Sequence, residues 1–176
     1  MTKKKVDVFD YAGKICSAMK KGILLTTAAG GNVNTMTIGW GTLGIEWNKP
    51  VFVAYVRESR FTRELLDHCG EFTVNIALDT EQKQILSFCG TKSGRDIDKI
   101  QEMNLTLVDS EKIKTPGIKE FPLTLECKVI SQQLQNIDML PDELQKRFYP
   151  LDSVTGKHDA HIAYYGEIVN AYFIEE

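Results

Sequence analysis

The sequence predicts a mainly β protein in which antiparallel strands carry a few peripheral helices. Three apolar segments that begin at Ile23, Thr35 and Val51 are separated by short turns, which is typical of an antiparallel meander or barrel. The stretch Phe121–Leu134, rich in Leu and Val, and the alternating segment His161–Ile174 predict two further strands. These five segments place the chain in the β class.

The composition is that of an ordinary globular domain. The chain has 176 residues, of which 43% are hydrophobic and 26% are charged, and it contains no internal repeat or linker, so we predict a single domain over residues 1–176. Its 21 Lys and Arg residues are outnumbered by 24 Asp and Glu residues, and the net charge of -3 argues against a nucleic-acid partner. No apolar run approaches the roughly 20 residues that span a bilayer, so no membrane partner is expected.

One helix and three strands are predicted in the first third of the chain. The helix lies within Asp7–Met19, where Val8, Ala12, Ile15 and Met19 share one face, and Gly22 ends it. The strands are Ile23–Ala28, Thr35–Leu43 and Val51–Val56. Within the second strand, alternation places Met36, Ile38 and Trp40 on the same side.

Shorter helices are predicted around a fourth strand. A helix opens at Ser59–Thr62 and runs through Cys69, with Ser59 or Thr62 as its cap, and the strand Glu71–Ile76 follows. The segment Asp79–Gln82 resembles a capping box and predicts a helix to about Cys89. The remaining elements are a charged loop over Gly90–Lys99, a short helix to Met103 and a helical excursion over Pro141–Phe148.

Two polar segments are candidates for binding a ligand. In Arg57–Thr62, a strand delivers a guanidinium and two hydroxyls to a helix N-terminus, which suits a phosphate, although a capped helix with solvated arginines explains the residues equally well. In Asn34–Thr37, amide and hydroxyl groups follow a Gly-rich turn and suit the edge of a planar ligand. The residues of Asn34–Thr37 alone favour the simpler interpretation that threonine is a good strand former.

Other reactive residue types give weaker signals. Ser93–Asp96 and Lys99 offer two cations beside a turn, and His161 opens the last strand next to a polar loop, where a cleft is expected. The four cysteines, Cys16, Cys69, Cys89 and Cys127, lack the short spacing of a metal or redox motif. We therefore expect reduced, buried thiols and a cytoplasmic location, and no metal site.

Several of these segments, taken in order, resemble the flavin reductase-like family with an FMN-binding split barrel. The segments are Asn34–Gly41, Pro50–Val53, Arg57–Thr62 and Glu71–Ile76. The later segments Ser93–Lys99 and Tyr164–Val169 are similar to its flavoredoxin branch. The resemblance extends from about the first predicted strand to the last, and the order and spacing of the segments make it specific.

The resemblance implies an antiparallel Greek-key split β-barrel with peripheral helices, which forms a homodimer and binds FMN non-covalently near the dimer interface. It implies that Asn34–Thr37 lines the flavin ring and ribityl chain, that the phosphate is held by Ser59, Arg60 and Thr62, and that His161 lies near the flavin or nicotinamide. The full set of cofactor contacts that it implies is Asn34, Thr35, Met36, Thr37, Trp40, Ser59, Arg60, Thr62, Ser93, Arg95, Asp96 and Lys99.

The function that the resemblance implies is an FMN-dependent oxidoreductase. The protein would be an NAD(P)H:flavin reductase, or a flavoredoxin-like protein that passes electrons to a redox partner protein, and the flavin would supply the chemistry. Two alternatives stay open at this point. One is a flavin carrier or sensor without turnover, and the other is a split barrel that binds another ligand, such as haem or pyridoxal phosphate.

Overall fold

Ten strands form the framework of the protein, which we describe from a computed structural model covering residues 1–78 and 81–175. The strands are β1 Thr2–Lys5, β2 Ile23–Ala29, β3 Asn32–Ile38, β4 Gly41–Glu46, β5 Lys49–Arg57, β6 Glu71–Ile76, β7 Leu107–Val108, β8 Gly117–Ile118, β9 Leu123–Leu134 and β10 His161–Glu175. Five α-helices lie between them: α1 Ala12–Met19, α2 Phe61–Cys69, α3 Lys83–Thr91, α4 Lys99–Glu102 and α5 Asp142–Phe148. Two 3-10 helices complete the described elements, Val8–Tyr11 and Ile137–Met139.

Eight of the strands form one antiparallel sheet, with the order β3-β2-β6-β9-β10-β5-β4 and with β1 paired to the far part of β10. Strand β10 has 15 residues and pairs with β9, β5 and β1, so it joins the two halves of the sheet. Among the described strands, β3 pairs only with β2 and β4 only with β5, so the sheet curls into a barrel that is not closed. The small pair β7-β8 lies outside this sheet.

The core fills the inside of this curled sheet. Alternate residues of the strands point inward, and the largest side chains that are almost fully buried include Phe52, Phe72 and Tyr164. Helix α1 covers one opening with Ile15 and Met19, which are both buried, as the predicted helical face requires. The apolar interior and the alternation together explain why the sheet curls.

The main correction concerns the predicted strand Thr35–Leu43, which is two strands. The chain leaves the sheet at Gly39 and Trp40, and β3 and β4 lie at opposite edges of the sheet order. Met36 and Ile38 are buried as predicted, but Trp40 does not share their face, and 42% of it is exposed. The alternation of apolar residues in the sequence did not reveal that the chain passes from one edge of the sheet to the other between β3 and β4.

Smaller corrections concern helix ends and short strands. Arg60 holds the N-cap position of α2 and makes no capping hydrogen bond, so neither Ser59 nor Thr62 caps this helix. Asp79 and Thr80 of the predicted capping box lie outside the described residues, and helix α3 ends two residues beyond the predicted Cys89. The prediction also missed β1, β7 and β8. Within residues 1–78 and 81–175, no helix is both long enough and apolar enough to cross a membrane.

Candidate functional site

Three adjoining cavities form one cleft along the open edge of the barrel. A cationic cavity of about 100 Å³ lies between the start of α2 and the loop after α3, and a central cavity of about 180 Å³ lies beside β3. An aromatic cavity of about 450 Å³ lies between Trp40 and helix α5. Met36 and Arg60 line both the cationic and the central cavity, and His161 lines both the central and the aromatic cavity. The three cavities therefore adjoin one another.

Four cationic side chains line the cationic cavity: Arg60, Lys92, Arg95 and Lys99. Arg60 ends the turn after β5 and is the N-cap residue of α2. The backbone N–H groups in the first turn of this helix have no partners within the helix. Within the described parts of the chain, the Arg60 guanidinium makes no hydrogen bond or ion pair, and no carboxylate lines this cavity. Its charge and the helix start make this end of the cleft suitable for an anion.

Lys99 is a buried cation at the base of the cationic cavity. It is 4% exposed, and its Nζ donates hydrogen bonds to the backbone oxygens of Thr35, at 2.9 Å, and Cys89, at 3.0 Å. Burial lowers the pKa of Lys99, the Cys89 thiol opposes that shift, and the Arg60 charge adds to it. Lys99 thus ties the loop to β3 and to the end of α3, at an electrostatic cost that a bound anion would reduce.

The loop after α3 packs closely on β3 and α2. Asn34 is buried, and its Nδ2 donates to Thr62 Oγ1 at 2.8 Å. A Cβ atom added at Gly94 would lie 2.1 Å from Asn34 Oδ1 and 2.9 Å from Phe61 Cδ1, so only glycine permits this approach. The cationic cavity therefore depends on a close contact between three separate segments.

Asp159 and Arg57 connect the cationic end to the loop before β10. The backbone N–H of Ser59 and its Oγ donate to the Asp159 carboxylate at 3.0 and 2.7 Å. The Arg57 guanidinium donates to the backbone oxygens of Asp159, at 2.7 Å, and Phe148, at 2.9 Å. Arg95 donates to the backbone oxygen of Ser59 at 3.1 Å and pairs with Glu64. The donors of Ser59 are therefore engaged by a protein carboxylate in this structure.

His161 lies where the central and aromatic cavities meet. It is 7% exposed, and its Nδ1 lies 2.8 Å from the Tyr149 hydroxyl, which in turn donates to Gln135 Oε1 at 2.6 Å. Because the single hydroxyl proton of Tyr149 is used by Gln135, the Nδ1 atom of His161 must be the donor, and this leaves Nε2 as an acceptor. Burial, together with the charge of Arg57, lowers the pKa of His161 to about 4 although Asp159 opposes the shift, so the ring is neutral at pH 7.

Aromatic rings enclose the larger cavity. The Trp40 ring centre lies 5.2 Å from that of Phe148, edge to face, and 5.0 Å from that of His161. The other lining residues are Gly39, Gly41, Tyr55, Gln135, Leu140, Leu144 and Tyr149. Leu144 and Phe148 lie four residues apart in α5 and share one face of it, and together with Leu140, which precedes the helix, they close the cavity.

Most residues that the sequence nominated for the site line this cleft. Eight lie on the cationic cavity: Asn34, Met36, Ser59, Arg60, Thr62, Ser93, Arg95 and Lys99. Thr37, Trp40 and His161 line the central cavity. Two others lie elsewhere: the Thr35 side chain points into the barrel, where it bonds to Thr26 at 3.0 Å, and Asp96 is an exposed loop residue that lines none of the three cavities.

The structure adds lining residues that the sequence analysis did not nominate. At the cationic end these are Phe61, Cys89, Lys92 and Gly94, and at the aromatic end they include Tyr55, Gln135 and Tyr149. The helical excursion over Pro141–Phe148 was predicted from the sequence, but nothing in the sequence indicated which surface its apolar residues cover.

Comparison with curated proteins finds relatives of part of this chain. It is 34% identical over 99 residues to an uncharacterized protein of Archaeoglobus fulgidus, and the match covers 56% of this chain and 55% of that protein. The chain thus spans a little over half the length of the curated relatives that it matches.

Solved structures share the fold over most of the chain. A flavoredoxin from Methanosarcina acetivorans is 27% identical, with a TM-score of 0.64 over 88% of this chain and 68% of that one. An FMN-binding domain of a flavin reductases-like enzyme from Shewanella baltica has a TM-score of 0.66 over 98% and 77% of the two chains; at 17% identity it supports the fold alone. These likenesses confirm the predicted antiparallel split barrel. Residues 16–176 match the family model of the flavin reductase like domain, and the chain therefore belongs to that family.

Proposed function

We propose that the protein binds FMN non-covalently in the cleft and acts as an FMN-dependent oxidoreductase. It would work as an NAD(P)H:flavin reductase or as a flavoredoxin-like electron-transfer protein. The observation that carries the proposal is the adjacency of the cavities, since the cation-lined cavity shares Met36 and Arg60 with the central cavity, which is also lined by the aromatic residues Trp40 and Tyr55. A phosphate monoester joined to a planar ring by a flexible chain fits this sequence of surroundings.

The cationic cavity supplies the phosphate ligands in this proposal. Arg60 has no partner within the described residues, and it stands beside the N-terminus of α2 and the buried Lys99. Ser93 and the exposed Lys92 line the same cavity. A dianionic phosphate there would accept charge-assisted hydrogen bonds and would relieve the repulsion between Arg60 and Lys99.

Strand β3 supplies the surface for the ring. It is an edge strand, so alternate backbone N–H and C=O groups on its outer side are not used by the sheet. The Thr37 hydroxyl already donates to the backbone oxygen of Leu86 at 2.6 Å, which leaves backbone groups as the donors to the ring edge. Fixed N–H donors at that edge would stabilise negative charge on the reduced ring.

FMN, when bound, supplies the hydride and electron chemistry. The protein holds and orients the cofactor and keeps water from part of the cleft. His161 is neutral and accepts at Nε2, so at pH 7 it orients a ligand by hydrogen bonding and does not act as an acid.

The remaining expectations stay predictions. The nicotinamide donor, a redox partner protein, the single-domain organisation and the cytoplasmic location belong to this group. Exposed apolar residues on the strands, Ile45, Ile130 and Leu134, and in the turn after β4, Trp47, support the proposal that the protein forms a homodimer.

The test of the proposed function is a visible absorbance spectrum of the protein after FMN has been added and the excess removed. We expect a retained flavin spectrum that bleaches when NADH or NADPH is added without oxygen. A retained flavin that bleaches only with another reductant or protein supports the electron-transfer form. A flavin that no donor reduces leaves a carrier, and failure both to retain FMN and to turn over free flavin overturns the proposal.

The phosphate assignment has its own test, in which Arg60→Ala is compared with Lys128→Ala. Arg60→Ala should weaken FMN binding by about 1.5–3 kcal/mol, or about 10- to 150-fold in Kd, because a charge-assisted hydrogen bond is lost. Lys128→Ala removes one positive charge at an exposed position that lines none of the three cavities, and it should leave the Kd unchanged. Equal Kd values for the two variants would contradict the assignment.

A further inference from the structure

We propose that an ion pair between Arg95 and Glu64 closes the outer end of the cationic cavity, so that the cleft favours a flavin that ends in one phosphate group over a flavin dinucleotide. FMN is then bound in preference to FAD. The inference rests on the proposed function and deepens it, because it states which class of flavin the cleft takes. Glu64 lines none of the three cavities, so it is a positioning residue that sets this preference by holding Arg95.

The cationic cavity has room for one phosphate group. Its volume is about 100 Å³, which is the space of roughly three water molecules in the liquid. A terminal phosphate presents three outer oxygens and fills a space of this size. FAD carries a second phosphate and an adenosine on the first phosphate, and these groups have to leave the cavity through one of its walls.

Direct contacts between separate segments close the inner wall of the cavity. The loop after α3 lies against β3 and α2, since a Cβ atom added at Gly94 would lie 2.1 Å from Asn34 Oδ1 and 2.9 Å from Phe61 Cδ1. Asn34 Nδ2 also donates to Thr62 Oγ1 at 2.8 Å, which joins β3 to α2. Lys99 closes the base, where it donates to two backbone oxygens. An adenosine cannot pass this wall without separating the loop from β3.

Arg95 spans the outer end of the cavity, from the loop to α2. Its guanidinium donates to the backbone oxygen of Ser59 at 3.1 Å and pairs with the carboxylate of Glu64, in the first turn of α2. The same guanidinium lies 5.6 Å from the centre of the Phe61 ring. The backbone N–H of Arg95 donates to Ser93 Oγ at 3.2 Å. Both ends of this residue are therefore held in place across the opening.

The other side of the cavity adjoins the proposed site of the flavin ring. Met36 and Arg60 line both the cationic and the central cavity, whereas Arg95 lines the cationic cavity and not the central one. A flavin whose ring lies beside β3 therefore brings its phosphate in from the Met36 side, and a group attached to that phosphate has to pass Arg95. FAD has to break the ion pair with Glu64 and the bond to Ser59, and FMN breaks neither.

The test is equilibrium dialysis of the full chain against FMN and against FAD. We expect the unmodified protein to bind FMN roughly 30-fold more tightly than FAD, because FAD breaks charge-assisted bonds. Glu64→Gln removes the charge that holds Arg95 and keeps the size of the side chain. It should reduce the preference roughly fivefold by tightening FAD, which is the effect of one partly exposed ion pair. The ratio of the two Kd values is the readout, because general loosening of the fold weakens both ligands alike.

Two further variants make the test specific to the outer end of the cavity. Glu102→Gln makes the same change at an exposed position in α4 that lines none of the three cavities, and it should leave the ratio unchanged. Arg95→Ala opens the outer end itself, and it should reduce the preference for FMN further than Glu64→Gln does.

Three outcomes would contradict the inference, and they separate it from the proposed function. Equal Kd values for FMN and FAD in the unmodified protein overturn the inference and leave the proposed function standing. A ratio that neither Glu64→Gln nor Arg95→Ala changes also overturns it, because another part of the cleft then discriminates between the two flavins. Failure to bind either flavin overturns the proposed function and this inference with it.

Discussion

The cationic end and the aromatic end of the cleft differ in the charge of the side chains that line them. At the cationic end, four positive side chains converge without a lining carboxylate, and the pKa of the buried Lys99 is lowered. At the aromatic end, His161, Tyr149 and Gln135 form a neutral chain of hydrogen bonds. The positive groups of the cationic end would be stabilised by a bound anion. Most polar groups of the aromatic end already have hydrogen-bond partners within the protein. The difference indicates that a bound anion would be stabilised at the cationic end and not at the aromatic end.

Gly94→Ala should give the largest separation between the two ends. A methyl group would lie 2.1 Å from Asn34 Oδ1 and would push the loop off β3, which costs about 1–3 kcal/mol of unfolding free energy. We expect FMN binding to weaken at least tenfold, measured by fluorescence titration, while the pH dependence of stability that His161 contributes at the aromatic end stays unchanged.

The matched control for that variant is Gly44→Ala. Gly44 lies in β4, its backbone conformation is open to other residues, and an added Cβ atom meets no atom within 4 Å. Loss of the pH dependence contributed by His161 in Gly94→Ala would show that the two ends of the cleft are not independent.

The pH dependence of the unfolding free energy should reveal the lowered pKa of His161 at the aromatic end. The pKa of His161 falls from 6.5 in the unfolded chain to about 4 in the folded protein. Between these values the unfolded chain binds a proton that the folded protein does not, so stability falls as the pH falls. From pH 7 to pH 5, we expect this residue alone to remove about 2 kcal/mol of unfolding free energy.

Urea unfolding of the unmodified protein and of His161→Gln at pH 7 and pH 5 measures this contribution. The variant lacks the titrating group, so it should lose about 2 kcal/mol less over the same interval. Parallel pH dependence of the two proteins would mean that His161 is solvated in the folded state.

The smallest effect is expected at the junction between the ends. Asp159→Asn removes a negative charge from beside the cationic cavity and weakens the acceptor that holds Ser59. FMN binding should tighten about two- to fivefold, because the donors of Ser59 become available to the phosphate. A looser complex would show that Asp159 positions Ser59 and does not compete with the ligand.

The contrast between the two ends of the cleft also explains which parts of the fold and of the site could be predicted from the sequence. Strand β6 was predicted at its observed bounds, and β2, β5, β9 and β10 differ from prediction by three residues or fewer at each end, because each strand carries contiguous or alternating apolar residues. The cationic end was also predictable, since Arg57–Thr62 and Ser93–Lys99 are compact polar motifs beside a helix end.

The aromatic end was not predictable in the same way. Its walls come from Trp40, Tyr55, the segment 135–149 and His161, which meet only when β10 pairs with β5 and β9. The side chain of Thr35 does not line the cleft, because a strand residue faces one side only and this one faces the barrel interior. The two-residue strands β7 and β8 are too short for any periodicity to appear.

The position of β10 in the chain has a consequence for biosynthesis. This strand holds β9 on one side and β5 on the other, and among the described strands it is the last to be synthesised. Until residues 161–175 are available, β5 and β4 have no strand pairing with the rest of the sheet, and the edges of β5 and β9 stay open. At about 5–20 residues per second, the nascent chain spends several seconds in that state after β5 has been made, with open strand edges that favour aggregation.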